Sequence, residues 1–158
     1  MELRARIRPV LEFSKTQASL QGCEPNYHTR LILTLKNSGV VPARKINAHY
    51  METSNDAIEE LVKEKDEIKS RNLPIGTIQN GGHHDFFIDI DWPKGKERTK
   101  LVIWLEYSYS DQKDEAVVVL DVTPGMEPVP HKWYVRDDIV EAEQQWKDTN
   151  LGKRGART

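Results

Sequence analysis

The chain of 158 residues, with 37% hydrophobic residues, 30% charged residues and a formal net charge of −2, has the size of one domain, or of one domain with an appendage. It is long enough to bury a core without metal or disulfides. A near-neutral balance lacks the concentrated basic face that nucleic-acid binding requires, and one cysteine, Cys23, excludes an internal disulfide or a cysteine-based metal cluster. No run approaches the ~18 apolar residues of a membrane span, and the charged opening Met-Glu-Leu-Arg-Ala-Arg-Ile-Arg does not read as a signal peptide.

Leu3, Ala5, Ile7, Pro9, Leu11 and Phe13 alternate with Glu2, Arg4, Arg6, Arg8 and Glu12. That period predicts a half-buried strand with an arginine-rich outer face, and Pro9 places it at a sheet edge or a bulge. Residues 14–26 read as a loop. A second strand, about 27–37, puts Leu31, Leu33 and Leu35 on one face and Arg30, Ile32, Thr34 and Lys36 on the other. Asn37-Ser38-Gly39 turns the chain and Pro42 fixes its re-entry. The third strand, about 43–51, buries Ile46, Ala48 and Tyr50 and exposes Lys45, Asn47, His49 and Met51.

Residues 54–71 break the alternation. Ile58, Leu61, Val62 and Ile68 fall at helical spacing, Asp56 and Glu59 match a capping box, and Glu59–Lys63 is a favourable pair on one face. A short inserted helix is predicted, with a mobile charged loop as the alternative. A brief strand at 73–79 leads to the Asn80-Gly81-Gly82 turn. The next strand, 83–92, points Phe86, Ile88, Ile90 and Trp92 inward and His83, Asp85, Phe87, Asp89 and Asp91 outward. The strand at 99–109 buries Leu101, Ile103, Leu105, Tyr107 and Tyr109, with Val102, Trp104, Glu106 and Ser108 on its far face. The strand at 115–122 buries Ala116, Val118, Leu120 and Val122 and turns Val117, Val119 and Asp121 outward.

Seven strands separated by turn signals predict an all-β, immunoglobulin-like Greek-key sandwich with an inserted short helix and a C-terminal helix. The sandwich spans 1–126, with 54–71 as its charged helical insertion. Pro124, Gly125, Pro128 and Pro130 end it, and 127–148 form a linker and an amphipathic helix whose stripe is Val135, Ile139, Ala142 and Trp146. Asp138 with Glu141 is placed to cap that helix. The end, 149–158, reads as a disordered tail.

Leu-x-Leu-x-Asn-x-Gly-x-x-Pro-Ala at 33–43, the Asn-Gly-Gly turn before an aromatic strand, and Leu-Glu-Tyr-Ser-Tyr-Ser-Asp at 105–111 resemble the CARDB-type (cell-adhesion-related) sandwich domains of bacteria and archaea. These are relatives of the fibronectin type III and immunoglobulin-like folds, and the likeness covers roughly residues 3–122. It implies a domain that binds and does not catalyse, of a kind carried beside a membrane segment or repeated in surface proteins. Neither a repeat nor a membrane segment is present in the chain.

The chemistry-bearing residues point the same way. His83, His84 and Asp85 invite a metal, but adjacent strand residues point to opposite faces and the histidines diverge. The stripe His83, Asp85, Asp89 and Asp91 spaces its oxygens roughly 7 Å apart, too far to converge on Ca²⁺. Cross-strand pairing with Arg30 and Lys36, with the Arg4, Arg6 and Arg8 face beyond, accounts for it. Ser14, Ser38, Ser108 and Cys23 stand in no nucleophile context, and the glycines form no phosphate cradle. No catalytic set, metal site or cofactor is expected.

One anomaly remains. Val102, Trp104, Val117 and Val119 point away from the core, with Met51 beside them if the third, sixth and seventh strands share a sheet. Such an apolar patch either receives the helix stripe Val135, Ile139, Ala142 and Trp146 or meets a partner. The function expected is a non-enzymatic protein-interaction or accessory module, including the soluble domain of a larger or membrane-associated protein. Its partner is a protein or a second copy. The alternative is a carbohydrate-binding module using an exposed aromatic face, with Trp104 as its ring.

Overall fold

The computed structural model describes residues 8–156, which form two antiparallel sheets and a short helical layer. Sheet A holds β1 (Leu11–Cys23), β2 (Asn26–Asn37) and β5 (His83–Asp91) in the order β1-β2-β5. Sheet B holds β3 (Ala43–Thr53), β4 (Leu73–Ile78), β6 (Thr99–Tyr109), β7 (Gln112–Val122) and β8 (Val129–Val135) in the order β4-β3-β6-β7-β8. The insertion forms α1 (Ile58–Leu61), a 3-10 turn at Val62–Glu64 and α2 (Lys65–Ile68), and the chain closes with α3 (Arg136–Ala156). Among the described residues, no helix is long and apolar enough to cross a membrane.

Alternation places the core. Leu31, Leu33 and Leu35 of β2 meet Ile46 and Ala48 of β3, with Phe86, Ile88 and Ile90 of β5 and Leu101, Ile103 and Leu105 of β6 filling the space between the sheets. Each fully buried aliphatic side chain contributes about 1.5–3 kcal/mol, so these rows are a main favourable term holding the two sheets together. The inward faces of β5, β6 and β7 are those the period-2 pattern predicts.

Three departures have physical causes. Residues 14–23, expected as loop, belong to β1, because a register break between Phe13 and Lys15 switches the inward parity. Before it the odd residues Leu11 and Phe13 face in; after it Thr16 and Ala18 do. Of the expected opening strand, Leu11–Phe13 are strand and residues 8–10 are not, and Leu3, Ala5 and Ile7, with Arg4 and Arg6, lie outside the described residues. An eighth strand, β8, occupies the expected linker. Its Pro130 stands on an edge strand at a register shift, where the missing N–H costs little. At the other end, α3 runs through Ala156 across most of the expected tail.

Asn37 is more than a turn residue. It is fully buried, and its Nδ2 donates to the carbonyls of Val41 (2.8 Å) and Ile78 (3.1 Å) while its Oδ1 accepts from the N–H groups of Val10 (3.1 Å) and Gly39 (3.0 Å). One side chain thereby ties together the start of β1, the β2–β3 connection and the end of β4. Gly39 is needed there because a Cβ would stand 2.6 Å from the Arg8 carbonyl oxygen and from the Val10 nitrogen.

Candidate functional site

The apolar patch on the outer face of sheet B exists as a set of cross-strand rows. Met51, Val102 and Val119 are register partners across β3, β6 and β7, and so are His49, Trp104 and Val117. Val102, Trp104, Val117 and Val119 are all fully buried, with Met51 packed at their margin. Two segments of the chain lie on them. Ile139 and Ala142 of α3 reach the patch, and Ile58, Leu61, Val62 and Ile68 of the insertion cover the rest. The ends of the predicted helix stripe do not take part: Val135 is 44% exposed as the last residue of β8, and Trp146 is 37% exposed beyond the cluster.

The insertion's apolar stripe is visible in its spacing, but local sequence does not say which surface it covers. Its local details differ too. Ala57 takes the N-cap position of α1 without a side-chain bond, and Asp56 instead meets Lys100 (3.1 Å) and His131 (3.1 Å). Lys63 pairs with Glu60 (3.3 Å) in place of Glu59. In α3, Asp138 accepts from the Val135 N–H (3.1 Å), the reach-back half of a capping box, which starts the helix at Arg136.

Charged groups ring this buried face. The Trp104 indole N–H donates to Glu115 (3.0 Å), and the ammonium groups of Lys65 and Lys69 each stand 5.4 Å from its ring centroid. Lys65 pairs with Glu143 on α3 (2.7 Å) and Lys69 with Glu106 on β6 (3.0 Å). His49, expected outside, is buried beneath the end of the insertion, with Nε2 against Glu106 Oε1 (2.7 Å) and Nδ1 against the Arg71 carbonyl (3.1 Å). Burial pushes the Glu106 carboxyl up, but Lys69 and then His49 outweigh it and hold it below its ordinary value. Burial likewise pushes Lys65 down, and Glu143, Glu115 and Glu106 more than reverse that. These groups clamp the helices to the sheet.

The described helices pack on sheet B, and the outer face of sheet A is bordered by Met126 and Glu127 beside Ile32, Thr34 and Asp85. Arg30 holds Asp89 through two bonds, Nε to Oδ1 (3.0 Å) and Nη2 to Oδ2 (3.2 Å), and its guanidinium carbon sits 5.8 Å over the Phe87 ring. The Arg30 bond holds Asp89 below its ordinary value. Thr34 donates to Asp85 (2.7 Å), and Lys36 stands opposite His83 in the β2–β5 register. The expected cross-strand charge pairing is thus present at Arg30–Asp89, while Asp85 is met by Thr34 and not by a cation. Phe87 is 58% exposed at its centre, flanked on β2 by the half-buried Ile32.

A cleft of about 740 Å³ lies where the chain enters β1, between Tyr107, Tyr109, Trp133 and Arg136. Tyr107 donates to Asp114 (3.2 Å) there, and burial followed by Asp114 pushes its hydroxyl far above its ordinary value. Among the described residues no group of three or more His, Cys, Asp and Glu is placed to hold a metal ion.

No protein-family model, curated protein or solved structure matches this chain. Its side-chain geometry has to stand alone. Within that geometry the expected sugar platform is corrected: Trp104 is fully buried under α2 and α3 and presents no ring face to solvent. Among the described residues the exposed aromatic on a sheet face is Phe87, which the sequence pattern turns outward without marking as a site.

Proposed function

We propose that this chain is a non-enzymatic interaction module built on an immunoglobulin-like, fibronectin type III-like Greek-key sandwich of the CARDB type. The strand order supports the fold assignment: β1, β2 and β5 stand where strands A, B and E of such a sandwich stand, and β3, β6 and β7 where C, F and G stand, with β4 added beside C. β8 and the helices are additions to that plan.

The observation that carries the function is the asymmetry of the two outer faces. Sheet B spends its apolar face on the chain's own helices. Sheet A leaves an exposed aromatic beside one arginine–aspartate pair and an aspartate held by Thr34, which is how a surface offers shape and orientation to a partner. The partner is a protein, a second copy of the chain included.

A photo-crosslinking residue at Phe87, compared with one at the exposed Val140 of α3, tests this in cells carrying the full chain. Discrete protein adducts from position 87 and none from 140 are expected. No adduct from 87, or the same adducts from both positions, overturns the proposal.

A further inference from the structure

Among the described residues four strands end a sheet: β1 and β5 in sheet A, β4 and β8 in sheet B. An open edge presents a row of unpaired N–H and C=O groups, and folds blunt it where pairing is unwelcome. Three of the four are blunted. β1 has the register break after Phe13, and the chain at 125–128 closes on it, Gly125 donating to the Ala18 carbonyl (2.9 Å) and the Thr16 hydroxyl to the Pro128 carbonyl (2.5 Å). β4 has six residues, including Pro74 and a Gly76 at φ +95°. β8 carries Pro130 at a register shift and runs directly into α3.

β5 has none of these backbone devices and carries only its three aspartates as charged side chains. Its nine residues include no proline, glycine or lysine, and its pairing with β2 has no register break. The Trp92 N–H donates to Tyr27 and the Asn37 N–H to Gly82. Backbone groups of the even residues therefore face β2, and those of His83, Asp85, Phe87, Asp89 and Asp91 face the open edge. Lys96 reaches the last of them, donating to the Asp91 carbonyl (3.1 Å).

Resting on the interaction role proposed above, we infer that two copies of this chain pair antiparallel through their β5 edges, joining two three-stranded sheets into one of six strands. A two-fold axis at Phe87 gives the register with the longest overlap. It sets the two Phe87 rings together and His83 opposite Asp91 of the second copy at both ends, so the strand is complementary to itself. Asp85 then faces Asp89, whose charge Arg30 already offsets, while Thr34 donates to Asp85 without neutralising it, so each contact sets one free carboxylate against one paired one. Lys96 gives up one exposed bond.

Sedimentation velocity on the full chain over a dilution series tests the pairing. A dimer that grows with concentration is expected. Phe87→Lys puts two ammonium groups on the axis and weakens association about tenfold or more. His83→Glu weakens it by facing Asp91, and the double variant His83→Glu/Asp91→Lys restores it to within a few-fold of the original. Far-UV circular dichroism checks each fold, and the charge exchange carries the test by itself if Phe87→Lys does not fold. A monomer at every concentration overturns the pairing. So does a dimer indifferent to these changes, or a crosslink from position 87 only to a different protein, and these two results leave an interaction role standing.

Discussion

Trp104 on β6 and Phe87 on β5 both point away from the space between the sheets, yet Trp104 is 0% exposed and Phe87 is 58% exposed. The strands beneath them follow the same alternation. What differs is the next layer. Around Trp104 the outward residues Val102, Val117 and Val119 are apolar, and two segments elsewhere in the chain carry matching stripes. Around Phe87 the outward residues are His83, Asp85, Asp89 and Asp91, with Arg30 and Lys36 across the ladder, and the chain borders them only at Asp85, where Met126 and Glu127 share a cleft with Ile32 and Thr34. An outward apolar row signals coverage; an outward charged row with one aromatic marks a face that the chain leaves in water.

The sharpest way to break this contrast is truncation. Trp104→Ala removes a buried indole along with its bond to Glu115 and two flanking cations, and should cost about 3–5 kcal/mol of stability by denaturant unfolding. Phe87→Ala should change stability by about 1 kcal/mol or less, as surface substitutions do. Equal costs at the two positions would erase the distinction between the faces.

A smaller effect tests how the cover is held. The folded Glu106 carboxyl lies below its unfolded value, so its contribution is fully present above the ordinary carboxylate range and is lost as pH falls through the lowered value. Glu106→Gln should therefore lower the melting temperature at neutral pH, with the gap to the parent chain narrowing on acidification. A gap that stays constant or widens toward acid would mean that Lys69 and His49 do not hold this carboxylate. The smallest effect belongs to the bare face. A double-mutant cycle on Arg30 and Asp89 should return a coupling of about 0.2–1 kcal/mol, the range for an exposed cross-strand pair. A coupling several times larger would mean that this face is as rigidly built as the covered one.

Much of this was legible in the chain itself. Alternation located β2, β3, β5, β6 and β7, and the outward run Val102, Trp104, Val117 and Val119 was identifiable as a patch before its cover was known. Two kinds of feature were hidden. A single extra residue near Ser14 inverts the parity of β1, so Thr16 and Ala18 looked like loop residues although they face the core. Pro128 and Pro130 resembled a terminus, because a proline forbids a central strand and only the fold reveals that β8 is an edge. The site was hidden for a different reason. Burial of His49 and Trp104 depends on where the insertion lands, and its landing is set by contacts far apart in sequence. Asn37 shows the same limit, since its turn was visible but its ties to Val10 and Ile78 were not.

Hydroxyl-radical footprinting of the full chain, read at Trp104 and Phe87 in the same sample over a concentration series, tests the contrast most directly. Trp104 should remain protected throughout, and Phe87 should be labelled when dilute and become protected as the chain is concentrated. Labelling of Trp104 in the folded dilute chain, or labelling of Phe87 that ignores concentration, would contradict the account.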